Sequence, residues 1–127
     1  MEKVARIRKN QDYQQIFRSS RWINGRWLTL HYRKGKGLRS RWGMVVSRRV
    51  GGAVVRNRVR RRLREICREF DPHLKQKMDL VVVGKKGIDQ VDFWSLRRDF
   101  LQVCYRASVL RKEVSEENLS KHGSNPE

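Results

Sequence analysis

The sequence predicts a mixed α+β sandwich, in which helices pack on a small β-sheet. Three segments repeat apolar residues at the spacing of an amphipathic helix, whereas shorter segments alternate apolar and polar residues or are rich in β-branched residues. The segments follow the order helix, strands, helix, strand, helix, without an internal repeat. This order is typical of helices packed on one small sheet. The length of 127 residues fits a single domain with its own core.

The first predicted helix begins at Asn10, a residue that favours the N-cap position, and Asp12 places negative charge in its first turn. Tyr13, Ile16 and Phe17 follow at i, i+3, i+4 spacing and form one apolar stripe. The Asn-Gly dipeptide at 24–25 marks a turn. The first helix is therefore expected to end before this turn.

Three segments are predicted strands: RWLTLHYR at 26–33, WGMVVS at 42–47 and MDLVVVG at 78–84. In the first of these, Leu28, Leu30 and Tyr32 alternate with Trp27, Thr29 and His31. This alternation predicts a strand with two different faces. The third segment is apolar along most of its length, which indicates a strand buried on both faces.

The second predicted helix, VVRNRVRRRLREICREF at 54–70, carries seven arginines and two glutamates. At 100° per residue, its apolar side chains fall within an arc of about 120° that must face the core. That arc holds Val55, Val59, Leu63, Ile66, Cys67 and Phe70. The opposite side holds Asn57, Arg61, Arg64 and Arg68. Arginine on this side suits phosphate recognition, because its planar guanidinium offers forked donors.

The last predicted helix starts at Asp92 as its N-cap and continues to about residue 110. Its apolar side holds Phe93, Leu96, Phe100, Val103, Cys104 and Ala107. The apolar pattern stops at residue 111. Residues 1–110 are therefore predicted to form one domain, and residues 111–127 are a predicted disordered C-terminal tail.

The charge of the chain points to a polyanionic partner. The net charge is +18, and residues 33–64 carry thirteen Lys or Arg without one acidic residue. Nucleic acid is the first candidate and an anionic membrane surface is the second. Helix-turn-helix spacing, zinc-finger ligands and basic-zipper heptads are lacking. Aromatic residues accompany the basic helix instead, which favours unpaired RNA bases as the ligand.

The sequence also predicts a cytoplasmic protein without a membrane partner. No apolar run reaches the ~18 residues of a membrane span, and the N-terminus lacks the apolar centre of a secretory signal. Cys67 and Cys104 show no CxxC spacing, and both fall on apolar helix faces. They are predicted to be two buried, reduced thiols.

The segment VSRRVGGAVVRNRVRRRLRE, residues 46–65, resembles the motif of the bacterial ribonuclease P protein subunit. The core of that motif is the triplet Arg56-Asn57-Arg58, followed by a basic helix. RIRKNQDYQQIF at 6–17 is similar to the first helix of the family, and MDLVVVGKKG at 78–87 is similar to its late strand. The resemblance covers residues 4–110 in order. It implies an α–β sandwich of three helices on a small mixed four-stranded sheet, in the order αβββαβα.

The resemblance implies a role in the endonucleolytic removal of the 5′ leader from precursor tRNA. In this family a large RNA subunit carries the chemistry with bound Mg²⁺, and the protein alone is not catalytic. The protein binds this catalytic RNA and the single-stranded leader, which broadens the range of substrates. The implied partners are therefore the catalytic RNA and precursor tRNA. Neither an obligate protein partner nor a cofactor on the protein itself is expected.

The resemblance also implies two sets of RNA-binding residues. The set expected to bind the catalytic RNA is Arg56, Asn57, Arg58, Arg61 and Arg64. The set expected to bind the leader is Tyr13, Phe17 and His31, with Arg49 and Arg60 at its basic rim. His31 stands where the family often has an aromatic residue, and Trp27, on the same predicted strand face, is expected to share the stacking.

A catalytic or metal site in the protein itself is not indicated. His31, His73 and His122 are far apart, and no known catalytic motif is present. Asp92 is a predicted helix cap, and Asp99 is a predicted solvated helix residue. Two alternatives remain: a small basic ribosomal-type RNA-binding protein with no processing role, and a non-specific chromosomal or membrane-surface binder. The first should not accelerate 5′ cleavage of precursor tRNA by the catalytic RNA, and the second should show no preference for leader-bearing precursor over mature tRNA.

Overall fold

The computed structural model describes residues 4–112, and within this range it contains three α-helices and a five-stranded mixed sheet. The helices are α1 (Asn10–Ser19), α2 (Ala53–Phe70) and α3 (Phe93–Arg106). The strands are β1 (Ala5–Arg6), β2 (Arg21–Asn24), β3 (Leu28–Lys34), β4 (Arg41–Val45) and β5 (Met78–Gly84). The predicted α+β class is confirmed. Of the predicted tail, residues 113–127 lie outside the described range.

The strands lie in the order β1-β4-β5-β3-β2 across the sheet. β4 runs parallel to β1 and β5, whereas β3 runs antiparallel to β5 and β2. From α1 onward the elements follow the predicted order αβββαβα. The sheet has one strand more than the predicted four, because β1 adds the pairs Ala5–Arg41 and Arg6–Trp42 at one edge. Two residues are too few to show a periodicity in the sequence.

The main core lies between one face of the sheet and the helices α2 and α3. The predicted apolar side of α2 is buried there through Val59, Leu63, Ile66, Cys67 and Phe70. The sheet contributes alternate residues, among them Leu28, Leu30, Trp42, Leu80 and Val82. Cys67 and Cys104 are free, buried thiols in this core, and burial raises the pKa of both. None of the helices within residues 4–112 is long and apolar enough to span a membrane.

The opposite face of the sheet is covered only in part, by α1. Ile16 is the buried residue of this helix, and it packs with Ile7 and Val81. Val45 and Val83 border this small cluster and stay half-buried. A helix of ten residues cannot cover a sheet of five strands. The part of this face beyond α1 is therefore left open, and we call this open strip the groove.

Two predicted helix caps had different outcomes. Asp92 is the N-cap of α3, as predicted, and its carboxylate accepts the backbone N–H of Ser95 at 2.7 Å. The prediction for Asn10 was wrong: Asn10 is the first residue of α1, and Lys9 occupies the N-cap without a side-chain hydrogen bond. Asp12, in the first turn, instead forms an ion pair with Arg41 at 3.3 Å.

The prediction that Asp99 is a solvated helix residue was also wrong. Asp99 is buried, and its carboxylate accepts the backbone N–H groups of Arg26 at 2.9 Å and Trp27 at 2.7 Å. The loop that joins β2 to β3 is thereby anchored to α3. Arg97 on the same helix is buried as well, and its Nε donates to Glu69 of α2 at 2.8 Å. Both charges are paired, as buried charges must be.

Candidate RNA-binding faces

The residues expected to bind the catalytic RNA all lie on α2, in its first three turns. Gly52 caps this helix, and its first turn holds no acidic residue. Asn57, Arg58 and Arg61 are exposed, whereas Arg56 and Arg64 are half-buried. These charged side chains face outward because the apolar arc of α2 packs in the main core.

Arg64 also lines a cavity of about 410 Å³ between α2 and the edge of the sheet. We call it the arginine cavity, because five arginines line it: Arg6, Arg8, Arg39, Arg64 and Arg68. Val4, Ala5 and Met44 complete the lining, so none of the described lining residues is acidic. The Nε atom of Arg64 is buried and has no hydrogen-bond partner among residues 4–112. Such a set of donors suits a phosphate group.

The arginine cavity includes arginines that were not among the predicted site residues. Arg68 falls on the same side of the helical wheel as Arg64, which was a usable signal. Arg6 and Arg8 gave no such signal, because they reach the cavity only through the pairing of β1 with β4. That pairing joins residues 36 positions apart, Ala5 with Arg41.

Four rings form a continuous series on the face of the sheet that carries α1. We call this series, in order Tyr13, Phe17, His31 and Trp22, the aromatic row. The ring centroids of Tyr13 and Phe17 are 6.5 Å apart, those of Phe17 and His31 4.8 Å, and those of His31 and Trp22 6.3 Å. The row runs from α1 to the outer strand β2. Three of its members are the aromatic leader-binding residues that the resemblance implies.

The first ring of the row is fixed by a close approach to the sheet. The ring of Tyr13 lies over Gly43 of β4, where a Cβ atom would be only 2.6 Å from the nearest ring carbon. A side chain at Gly43 would therefore displace the ring. The Tyr13 hydroxyl donates to the carbonyl oxygen of Ile7 at 3.2 Å. Glycine at this strand position is thus required by packing.

His31 enters the row as a half-buried imidazole. Its Nδ1 lies 3.4 Å from the hydroxyl oxygen of Ser20. Burial lowers the pKa of His31 below its ordinary value of 6.5. The imidazole is therefore neutral at pH 7, and it presents an uncharged aromatic ring beside Phe17.

The two basic residues expected at the rim lie on α2 and in the turn that precedes it. Arg49 is exposed in the turn that links β4 to α2. Arg60 is half-buried, and its guanidinium donates to Asn57 Oδ1 at 3.2 Å and to the carbonyl oxygen of Val46 at 3.5 Å. Val46 directly follows Val45, which packs beneath α1. Arg60 therefore connects the exposed side of α2 to the end of the groove.

The prediction that Trp27 shares the strand face of His31 was wrong, and Trp22 occupies that face instead. Trp27 precedes β3 and packs against the main core, so it does not share the face of His31. Trp22 does share that face, because it pairs with His31 across β2 and β3. The Asn-Gly turn at 24–25 was the signal that could have indicated this register.

The carboxylates give no sign of a catalytic centre. Asp79 is buried under α1 and is held by Arg33 and Arg41, each with a nitrogen 3.1 Å from its carboxylate. Among the residues that the structure describes, no group of three His, Cys, Asp or Glu is arranged to hold a metal ion. Guanidinium groups and exposed rings of this kind suit phosphates and unpaired bases.

Comparison with known proteins identifies the family of the chain. A family model described as Ribonuclease P matches residues 1–108. A ribonuclease P protein component from Syntrophomonas wolfei is 30% identical over 115 residues, which cover 91% of this chain and 97% of that protein. One from Levilactobacillus brevis is 32% identical over 118 residues, which cover 92% and 100%.

Solved structures show the same fold. The RNase P protein of Staphylococcus aureus aligns with a TM-score of 0.78 at 25% identity, over 86% of this chain and 100% of that one. The protein from Thermotoga maritima aligns with a TM-score of 0.72 at 31% identity, over 80% and 96%. The resemblance seen in the sequence is thus confirmed, and the chain belongs to the family of bacterial ribonuclease P protein components.

Proposed function

We propose that this protein assembles with the catalytic RNA of ribonuclease P and assists it in removing the 5′ leader from precursor tRNA. In this proposal the RNA, with its bound Mg²⁺, supplies the endonucleolytic chemistry, and the protein supplies binding and orientation. The observation that carries it is the contact of Arg60, on the arginine-rich helix α2, with the carbonyl oxygen of Val46, which directly follows β4. One protein end can therefore hold catalytic RNA and leader side by side. We place this assembly in the cytoplasm.

The exposed side of α2 is the proposed contact with the catalytic RNA. Arg58 and Arg61 extend into solvent without an ion pair among the described residues, so their guanidinium groups are available to phosphates. Asn57 can donate and accept hydrogen bonds, which suits a base edge. Arg56 and Arg64 carry buried Nε donors without a described partner. An RNA phosphate would provide that partner.

The groove beside α1 is the proposed site of the leader. Aromatic rings stack on unpaired bases whatever their sequence, which suits a protein that must accept many precursors. Tyr13, Phe17 and His31 offer such rings, and Arg49 and Arg60 would neutralise the leader phosphates. Mature tRNA lacks the leader and could not use this groove. The protein therefore adds affinity to the precursor selectively, which favours binding of substrate over product.

Reconstitution tests the proposal. The protein is added to its cognate catalytic RNA at low Mg²⁺, and the rate of 5′ cleavage of precursor tRNA is measured. We expect the protein to accelerate cleavage and to lower the precursor concentration needed for half-maximal rate. A ribosomal protein of similar size and charge is the control, and it should do neither. Equal rates with and without the protein would contradict the proposal and favour an RNA-binding protein with no processing role.

A further inference from the structure

We infer that Trp22 is an additional stacking site for a leader nucleotide, at the end of the aromatic row farthest from α2. The inference rests on the leader binding proposed above and extends it to β2, where the resemblance implies no contact. Trp22 is 60% exposed. The exposed surface of the indole is available to stack on an unpaired base.

The orientation of Trp22 makes it part of the groove. Trp22 pairs directly with His31 across β2 and β3, so both side chains point to the face that carries α1. Their ring planes are inclined by only 30°, with centroids 6.3 Å apart. The indole thus continues the row that Phe17 and His31 begin. β2 is the last strand of the described sheet, so the ring lies at the edge of this face.

The surroundings of Trp22 favour a nucleotide over a protein partner. Asn24, which shares the face of Trp22 on β2, is exposed, and Arg18 is exposed in the last turn of α1. A protein interface would call for a contiguous apolar patch at its centre. Here the aromatic row ends beside an exposed amide, with an exposed guanidinium four residues earlier in the chain. Rings in series with a basic residue nearby fit stacked bases and their phosphates.

The position of Trp22 predicts which nucleotide it binds. Strands β5 and β3 separate it from β4, where Tyr13 lies, and three strand spacings amount to about 14 Å. The nucleotide on Trp22 is therefore the one farthest along the row from the rim arginines Arg49 and Arg60. Short leaders would not reach it. Trp22 should matter only when the leader is long enough to cross the whole sheet.

A series of precursor tRNAs with increasing leader length tests this inference. Their affinities for holoenzymes reconstituted with wild-type protein, Trp22→Ala and Trp22→Phe are compared. For long leaders we expect Trp22→Ala to lose between about 5-fold and 150-fold in affinity, the range for one stacked base. Short leaders should bind all three equally, and Trp22→Phe should recover most of the loss. The matched control is Tyr105→Ala, since Tyr105 is also 60% exposed but lies on α3, across the sheet.

The outcomes separate this inference from the function on which it rests. If Phe17→Ala weakens precursor binding while Trp22→Ala follows the wild type at every leader length, leader binding stands and the role of Trp22 is wrong. If neither variant changes precursor binding, both are wrong. Sedimentation of the free protein tests whether Trp22 lies in a contact between two copies. A change of oligomeric state in Trp22→Ala, without a change that depends on leader length, would assign the ring to a contact between two copies instead.

Discussion

Phe17 meets the imidazole of His31 edge to face, with ring centroids 4.8 Å apart and planes at 82°. This contact joins α1 to β3 and leaves Phe17 41% exposed at the groove. An edge-to-face pair holds both rings in defined orientations. The exposed part of Phe17 is thus presented as a fixed surface on which a base can stack.

Phe17→Ala should therefore weaken the binding of precursor tRNA by about 1–3 kcal/mol, which is the contribution of one base stacked on an aromatic side chain. Binding of mature tRNA should not change, since it has no leader. Equilibrium binding of both RNAs to the reconstituted holoenzyme measures this difference. Phe17→Tyr keeps the ring and should behave as wild type. Equal losses for the two RNAs would show that Phe17 acts through the fold.

The lowered pKa of His31 makes a prediction about stability and pH. As the pH is lowered, His31 of the unfolded chain, with a pKa near 6.5, takes up a proton at a higher pH than His31 of the folded protein does. Between the two pKa values the unfolded state binds more protons, so the free energy of unfolding must fall as the pH falls below about 6.5.

His31→Phe removes this titration. Urea unfolding of the wild type and the variant at pH 7.5 and 5.5 gives four free energies of unfolding. The change between the two pH values is compared for the two proteins, and the difference is the contribution of His31. We expect the wild type to lose more stability on acidification than His31→Phe does. An equal loss in both proteins would mean that His31 titrates at the same pH in the folded and unfolded chain.

Local patterns were sufficient to predict most of the fold. The apolar arc of α2 and the alternation of Leu28, Leu30 and Tyr32 in β3 depend on helix and strand geometry alone, and both are found as predicted. β1 could not be predicted in this way. It exists because the segment at Ala5 and Arg6 pairs with β4, and a two-residue strand carries no period of its own.

The candidate site was less predictable, because its neighbours come from distant segments. Asp99 was expected in solvent because it lies outside the apolar side of α3. Its carboxylate oxygens instead accept hydrogen bonds from the backbone of Arg26 and Trp27, which are 73 and 72 residues away in the chain. Trp27 was assigned to the wrong face because the strand was assumed to begin at residue 26, whereas β3 begins at Leu28. The triplet at 56–58 was recognised only through the resemblance.

Asp99→Ala should destabilise the fold more than most single substitutions. Two backbone N–H groups would lose a charged acceptor, and each such hydrogen bond contributes about 1.5–3 kcal/mol. We expect a loss of about 3 kcal/mol in the free energy of unfolding, measured in urea. Asp99→Asn keeps one oxygen acceptor and should lose less. Asp92→Ala, which removes only the cap of α3, should lose less stability than Asp99→Ala. A loss for Asp99→Ala no greater than for the cap variant would contradict this role.

Arg61→Ala and Arg64→Ala should both weaken binding of the catalytic RNA and reduce its salt dependence. Each removes one cation that would neutralise a phosphate, so the slope of log K against log salt concentration should decrease by about one for each variant. Arg98→Ala is the matched control, because it removes the same charge from an exposed position on α3. Binding measured over a range of KCl concentrations separates these cases. If all three variants lower affinity and slope equally, the RNA responds to net charge alone, and the assignment of α2 is wrong. If only Arg61→Ala and Arg64→Ala do so, the exposed side of α2 and the arginine cavity together form the RNA contact.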